Sequence, residues 1–145
     1  MIDPDESIPY GKHDINDDDI KALVQVLKSD WLTQGPLVGN FEEEVCKYVS
    51  CNYGVAVNSA TSALHISCLA LGVENGDWVW TSPNTFVASA NCALFCGARV
   101  DFVDVDPNTY NMSPEALKEK LILAKKKNRL PKVVIPVHFA GLAPD

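Results

Sequence analysis

From residue 53 onward the sequence alternates short β-branched or aromatic runs with stretches of helix formers. No other feature constrains the fold as tightly. The runs lie at 54–57, 78–81, 99–104 and 133–137. Between them the spacing predicts helices at 60–71 and 86–96, ended by Gly72 and Gly97, and a third begun by Ser113-Pro114-Glu115. The first of these is apolar on most sides through Leu64, Ile66, Leu69 and Leu71. The third turns Leu117, Leu121 and Ala124 inward and ends in the solvated run Lys125-Lys126-Lys127. Turns are marked by Glu74-Asn75-Gly76-Asp77 and Asp106-Pro107-Asn108. Strands separated by helices need right-handed crossovers. The predicted architecture is therefore α/β, a mostly parallel sheet with helices on both faces.

Residues 1–52 read differently, as a helical segment. Ile8-Pro9-Tyr10-Gly11-Lys12 is extended by virtue of its Pro and Gly. Asn16 caps a helix over 17–29, with Asp17, Asp18 and Asp19 in a first turn whose dipole favours carboxylates. Ile20, Leu23, Val24 and Leu27 form its apolar stripe. The stretch Trp31-Leu32-Thr33-Gln34-Gly35-Pro36 is a loop, and a second amphipathic helix covers 38–50 with Phe41, Val45, Tyr48 and Val49 on one face. The chain thus divides into 1–52 and 53–145, the latter the opening and incomplete part of an α/β domain.

Charge and composition narrow the function. A net charge of −7 disfavours a nucleic-acid partner, which needs a basic face. No apolar run approaches the roughly 18 residues of a membrane span. The acidic N-terminus has no signal-peptide character, so a cytoplasmic location is expected. Five cysteines, an odd number without knuckle spacing, fit that compartment. Cys92 and Cys96 are one helical turn apart, but core packing explains them better than a metal pair. His13, His65 and His138 form no ligand motif, and no metal is expected.

One turn carries chemistry. The run Tyr53–Val57 passes through Asn58-Ser59-Ala60-Thr61-Ser62 directly into a helix. Small residues there leave the first backbone N–H groups uncovered at the positive helix end, a seat for phosphate. The hydroxyls of Ser59, Thr61 and Ser62 can add hydrogen bonds. Equally, Ser59 can act as an ordinary helix cap, and both readings stand. Functional groups in such sheets gather at the carboxyl ends of the strands. Those ends carry Ser82-Pro83-Asn84-Thr85-Phe86, Asp104-Val105-Asp106 and His138-Phe139-Ala140-Gly141. A flat, phosphorylated aromatic ligand suits that set. Phe86 on its own is more often core than stacking platform.

A resemblance adds to this. In order, Gly54-Val-Ala-Val-Asn-Ser-Ala-Thr-Ser-Ala-Leu-His, Gly76-Asp77, Ser82-Pro-Asn-Thr-Phe-Val-Ala-Ser-Ala-Asn, Gly97-Ala98, Phe102-Val-Asp-Val-Asp and Pro136-Val-His-Phe-Ala-Gly resemble the DegT-type sugar aminotransferases. These are fold-type-I enzymes using pyridoxal 5'-phosphate (PLP) on nucleotide-linked keto-sugars. The match covers nearly the whole chain. Ile8-Pro-Tyr-Gly-Lys and Leu32-Thr-Gln-Gly-Pro are most similar to the branch that makes pseudaminic acid precursors. That resemblance implies amination of a UDP-linked 4-keto-6-deoxy-N-acetylhexosamine with glutamate as donor, in a homodimer. By position, it implies that Ser59, Ala60, Thr61 and Ser62 hold the PLP phosphate and that Phe86 lies against the pyridine. It likewise implies that Tyr10, Lys12, Thr33, Gln34 and Gly35 lie near the sugar nucleotide.

One departure matters. The family's Schiff-base lysine and the acid beside its pyridine nitrogen belong to segments that this sequence does not contain, and none of the ten lysines present follows a strand in the required way. PLP chemistry needs both groups. No catalytic residue is therefore assigned. The expected function is an aminotransferase of which this is an N-terminal portion. The alternatives are a noncatalytic remnant that binds PLP phosphate or a partner, and an unrelated phosphate- or nucleotide-binding module.

Overall fold

A computed structural model describes residues 11–145. The chain falls into two compact units, one ending at Ala56 and the other running Val57–Asp145.

The first unit contains helices α1 (Asp17–Leu27) and α2 (Pro36–Val49). A capping box starts α1. The Asn16 side chain accepts from the N–H groups of Asp18 and Asp19 at 2.8 and 3.2 Å, and Asp19 accepts from the Asn16 N–H at 2.9 Å. Helix α2 begins two residues before its expected start because Pro36, with φ preset and no N–H to satisfy, occupies the first helical position. Neither helix has a buried residue. The predicted stripes are formed but exposed, from Val24 and Val45 at 40% to Tyr48 at 91%.

The run 54–57, expected to be a strand, pairs with no strand among the described residues. A ladder needs a neighbour, and here the Glu42 carboxylate takes that place, accepting the Ala56 N–H at 2.7 Å.

The second unit begins with α3 (Ala60–Ala70) and continues through β1 (Trp78–Thr81), α4 (Ala88–Phe95), β2 (Arg99–Phe102), α5 (Pro114–Lys126) and β3 (Val133–Ile135). The sheet is parallel in the order β2-β1-β3, with Trp78 beside Arg99 and Val79 beside Val133. The step from β1 to β2 crosses the sheet one way and the step from β2 to β3 the other. Right-handed crossovers then put their helices on opposite faces. Val79 packs with Cys68 of α3 and Cys92 and Ala93 of α4 on one face. Trp80 packs with Met112, Leu117, Leu121 and Ala124 on the other. Both faces are covered, as the alternation predicts.

β2 and β3 are shorter than their apolar runs because central β1 has four residues. Thr81 is the last to pair, with Phe102 and Ile135, before Ser82-Pro83 leaves the sheet. Helix α4 likewise starts two residues after the expected 86, following a turn in which the Ser89 N–H donates to the Phe86 carbonyl at 3.0 Å. In the core, burial first, then a hydrogen bond with Cys92, pushes the Cys68 thiol up to about 12. Cys92 is fully buried and donates to the Ser89 carbonyl at 3.4 Å, so this cluster is packing. Among the described residues no helix is long and apolar enough to cross a membrane.

Candidate functional site

The N-terminus of α3 lies at the carboxyl end of the sheet. The helix packs on the β1 face and returns through the turn at Gly72–Asp77 to the start of β1. It therefore runs antiparallel to the strand, and eleven residues carry it back about 16 Å. Lys132 holds the opposite end, donating to the Gly72 carbonyl and to Asp77 at 2.9 Å.

Within the turn Ser59 caps the helix, and neighbouring donors are left open. The Ser59 hydroxyl accepts the Ser62 N–H at 3.2 Å and so caps the helix. Ser62 in turn donates its hydroxyl to the Asn58 side chain at 2.8 Å and touches the Ser59 hydroxyl at 3.1 Å. The N–H groups of Ala60 and Thr61, and the Thr61 hydroxyl, have no partner among the described residues. Two backbone donors and one hydroxyl thus converge at a positive helix end, the donor set that suits a phosphate.

The β1 exit shares that rim. Phe86 is 73% exposed, so it serves no core and its ring is open to a ligand. Thr85 and Ser89 share a hydrogen bond at 2.8 Å, and the buried Ser82 hydroxyl has no partner among the described residues. Beyond β2, the N–H groups of Thr109 and Asn108 hold the Asp106 carboxyl below the usual carboxylate range. Asp106 is a turn-former. Asp104 accepts the Val105 N–H at 2.8 Å, and His138 stands exposed.

Sequence reasoning missed Asn111. It is 3% exposed, accepts the Phe139 N–H at 2.9 Å and donates to the Leu142 carbonyl at 3.0 Å. This one amide fixes the loop leaving β3. The only available signal was a polar residue between a turn and a helix cap, which does not reveal burial.

Thr33, Gln34 and Gly35 lie in the loop between α1 and α2, within the first unit. Gln34 is left-handed at φ 53°, and a Cβ on Gly35 would stand 2.8 Å from the Trp31 Cβ, so that position needs glycine. Lys12 is exposed ahead of α1, and Tyr10 falls outside the described residues.

Solved structures identify the class, a PLP-type aminotransferase fold. The PLP form of Spr1654 from Streptococcus pneumoniae superposes with a TM-score of 0.83 at 30% identity, over 97% of this chain and 34% of that one. Helicobacter pylori PseC, an aminotransferase involved in the biosynthesis of pseudoaminic acid, gives a TM-score of 0.84 at 32% identity, over 97% and 36%. The chain belongs to the DegT/DnrJ/EryC1/StrS aminotransferase family, which matches residues 13–145. It is also 39% identical to the spore coat polysaccharide biosynthesis protein SpsC of Bacillus subtilis, over 95% of this chain and 34% of SpsC. The chain spans about a third of the length of these relatives. The cofactor that this family membership indicates is pyridoxal phosphate.

Proposed function

We propose that this chain carries the cofactor-phosphate end of a PLP-dependent aminotransferase acting on a nucleotide-linked 4-keto-6-deoxy sugar, with glutamate as amino donor. The observation that carries the reading is the open donor set at the start of α3. Ala60 and Thr61 hold the phosphate through their N–H groups and the Thr61 hydroxyl. Ser59, Ser62 and Asn58 shape the turn, and Phe86 offers a ring to the pyridine. When bound, PLP supplies the electron sink for amine transfer. The similarity to PseC supports a pseudaminic acid precursor as product. Tyr10, Lys12, Thr33, Gln34 and Gly35, within an N-terminal segment 1–52, are assigned to the sugar nucleotide, and the working enzyme is a homodimer.

A second reading has one observation in its favour. The loops that leave the three strands, at 82–87, 103–113 and 136–142, contain no lysine. In that reading the chain binds the phosphate without catalysing transfer.

Ala60→Pro tests the seat. Proline is well tolerated at the first helical position, and the preceding Ser59 is already extended (φ −161°, ψ 156°). The variant keeps the helix and deletes one donor. A hydrogen bond to a charged group contributes about 1.5–3 kcal/mol, so PLP affinity should fall about ten- to a hundredfold. Titration by absorbance, followed by borohydride reduction and mass spectrometry, measures it. Unchanged affinity rejects the seat. A stoichiometric reduced adduct on one lysine rejects the noncatalytic reading.

A further inference from the structure

Helix α2 ends in a backbone motif that sets two thiols together. Ser50 is left-handed at φ 56°. The Cys51 N–H donates to the Cys46 carbonyl at 3.0 Å, and the Ser50 N–H donates to the Lys47 carbonyl at 3.4 Å. These are the two bonds of a Schellman turn, a geometry that brings the side chains at its two outer positions into contact. Here those positions are Cys46 and Cys51. Both thiols are free. They line one open cavity, with Glu42, Glu43, Lys47 and Tyr53 around them.

The backbone closes in on the pair. A Cβ on Gly54 would lie 3.0 Å from the Cys46 sulfur and 3.1 Å from the Glu42 carbonyl oxygen. Glycine there lets the chain pass against the thiol. Cys51 is exposed and donates to the Tyr53 carbonyl at 3.3 Å, whereas Cys46 is half-buried. Burial first, then the neighbouring Cys51 thiol and the carboxylates of Glu42 and Glu43, push the Cys46 thiol up. The exposed thiol is therefore the one placed to react first, and its neighbour to resolve.

We propose that Cys46 and Cys51 are a modification site, a pair that closes to a reversible disulfide at the expense of a low-molecular-weight disulfide such as glutathione disulfide. The Cys51 thiolate attacks one sulfur of the small disulfide, its S–S bond breaks and one small thiolate leaves. The Cys46 thiolate then attacks the Cys51 sulfur and expels the second small thiolate. Two protein thiols are oxidised to one disulfide, one small disulfide is reduced to two thiols, and the two protons pass to them. Cys68 and Cys92 are enclosed in the core and do not compete. The closed pair would staple the end of α2 to the turn that follows it.

The test incubates the 145-residue chain with glutathione disulfide, alkylates it and maps its peptides without reduction. The chain should lose two of its five free thiols together, as a Cys46–Cys51 linkage that reductant restores. Cys46→Ser should instead hold glutathione on Cys51, and Cys51→Ser should lose no thiol over the same interval. Three results in the unsubstituted chain overturn the proposal. They are a lasting glutathione adduct on Cys51, pairing of Cys51 with Cys68, Cys92 or Cys96, and a linkage between two chains. Because the map of the unsubstituted chain decides, a variant that fails to fold does not protect the proposal.

Discussion

The two units obey the same local rules and reach different ends. Helix α1 has a complete capping box and an apolar stripe, yet Leu23 is 61% exposed and the helix buries nothing. Helix α5 also starts from a side-chain cap, Ser113 accepting the Ala116 N–H at 3.2 Å, and its stripe packs against Trp80 and Val134, with Ala124 buried. Caps and periodicity therefore specify that a helix forms and which face is apolar. Burial requires a surface to receive that face, and in the second unit the sheet supplies it.

The sharpest way to break this comparison is to remove an apolar side chain from each unit. Trp80 is 2% exposed at the centre of its cluster, with the Lys120 ammonium 5.1 Å from its ring centre. Trp80→Ala should cost about 3–5 kcal/mol in denaturant unfolding. Leu23→Ala should stay within about 0.5 kcal/mol, as surface substitutions do. Equal effects would mean that α1 is covered in solution.

A smaller effect tests whether a buried polar group fixes a loop in the second unit, as Asn111 does for the segment leaving β3. Asn111→Ala leaves the Phe139 N–H and the Leu142 carbonyl without their partners, at a cost of about 1–3 kcal/mol. Hydrogen exchange at Phe139 should quicken while exchange in α1 is unchanged. Protection retained at Phe139 would show that the loop is held by something else, such as the Tyr110 ring 5.9 Å from its own.

What could be read in advance follows from the same contrast. The run Trp78-Val79-Trp80-Thr81 is central because it has apolar or β-branched residues on both faces, and its bounds were legible to the residue. So was the α5 start at Ser113-Pro114. The run at 54–57 was equally apolar and forms no ladder among the described residues, and a sequence pattern cannot say whether a neighbour is present. Phe86 belonged to an apolar helical stretch and yet stands exposed, since the turn before α4 carries it off the packed face. At the phosphate turn the small residues were legible, but the division of labour was not. Which hydroxyl takes the Ser62 N–H depends on backbone angles, and only with Ser59 taking it do Ala60 and Thr61 remain open. Asn111 was invisible for a different reason, as its partners lie 28 and 31 residues away.

The smallest expected effect separates the ion pairs of the two units. In the first unit Lys21–Asp18 and Lys47–Glu44 join side chains on a single helix, with side chains 67–88% exposed. In the second, Lys132 joins Asp77 across 55 residues, with side chains 35% and 26% exposed. The Lys132 ammonium first, then the Glu74 N–H, holds the Asp77 carboxyl below its ordinary value. A depressed carboxylate adds stability above its unfolded pKa, near about 3.9 for Asp, and loses it as pH falls through the folded value. The acid limb of the stability curve should therefore steepen below about pH 4 and soften in Asp77→Asn, with the curves converging once Asp77 is protonated in both states. Asp18→Asn, whose partner Lys21 is 70% exposed and three residues away on the same helix, should change stability less than Asp77→Asn does. Urea unfolding followed by tryptophan fluorescence between neutral pH and the acid limb reads both. An Asp18→Asn change as large as that of Asp77→Asn would erase the distinction between an ion pair that decorates a helix and one that ties β1 to β3.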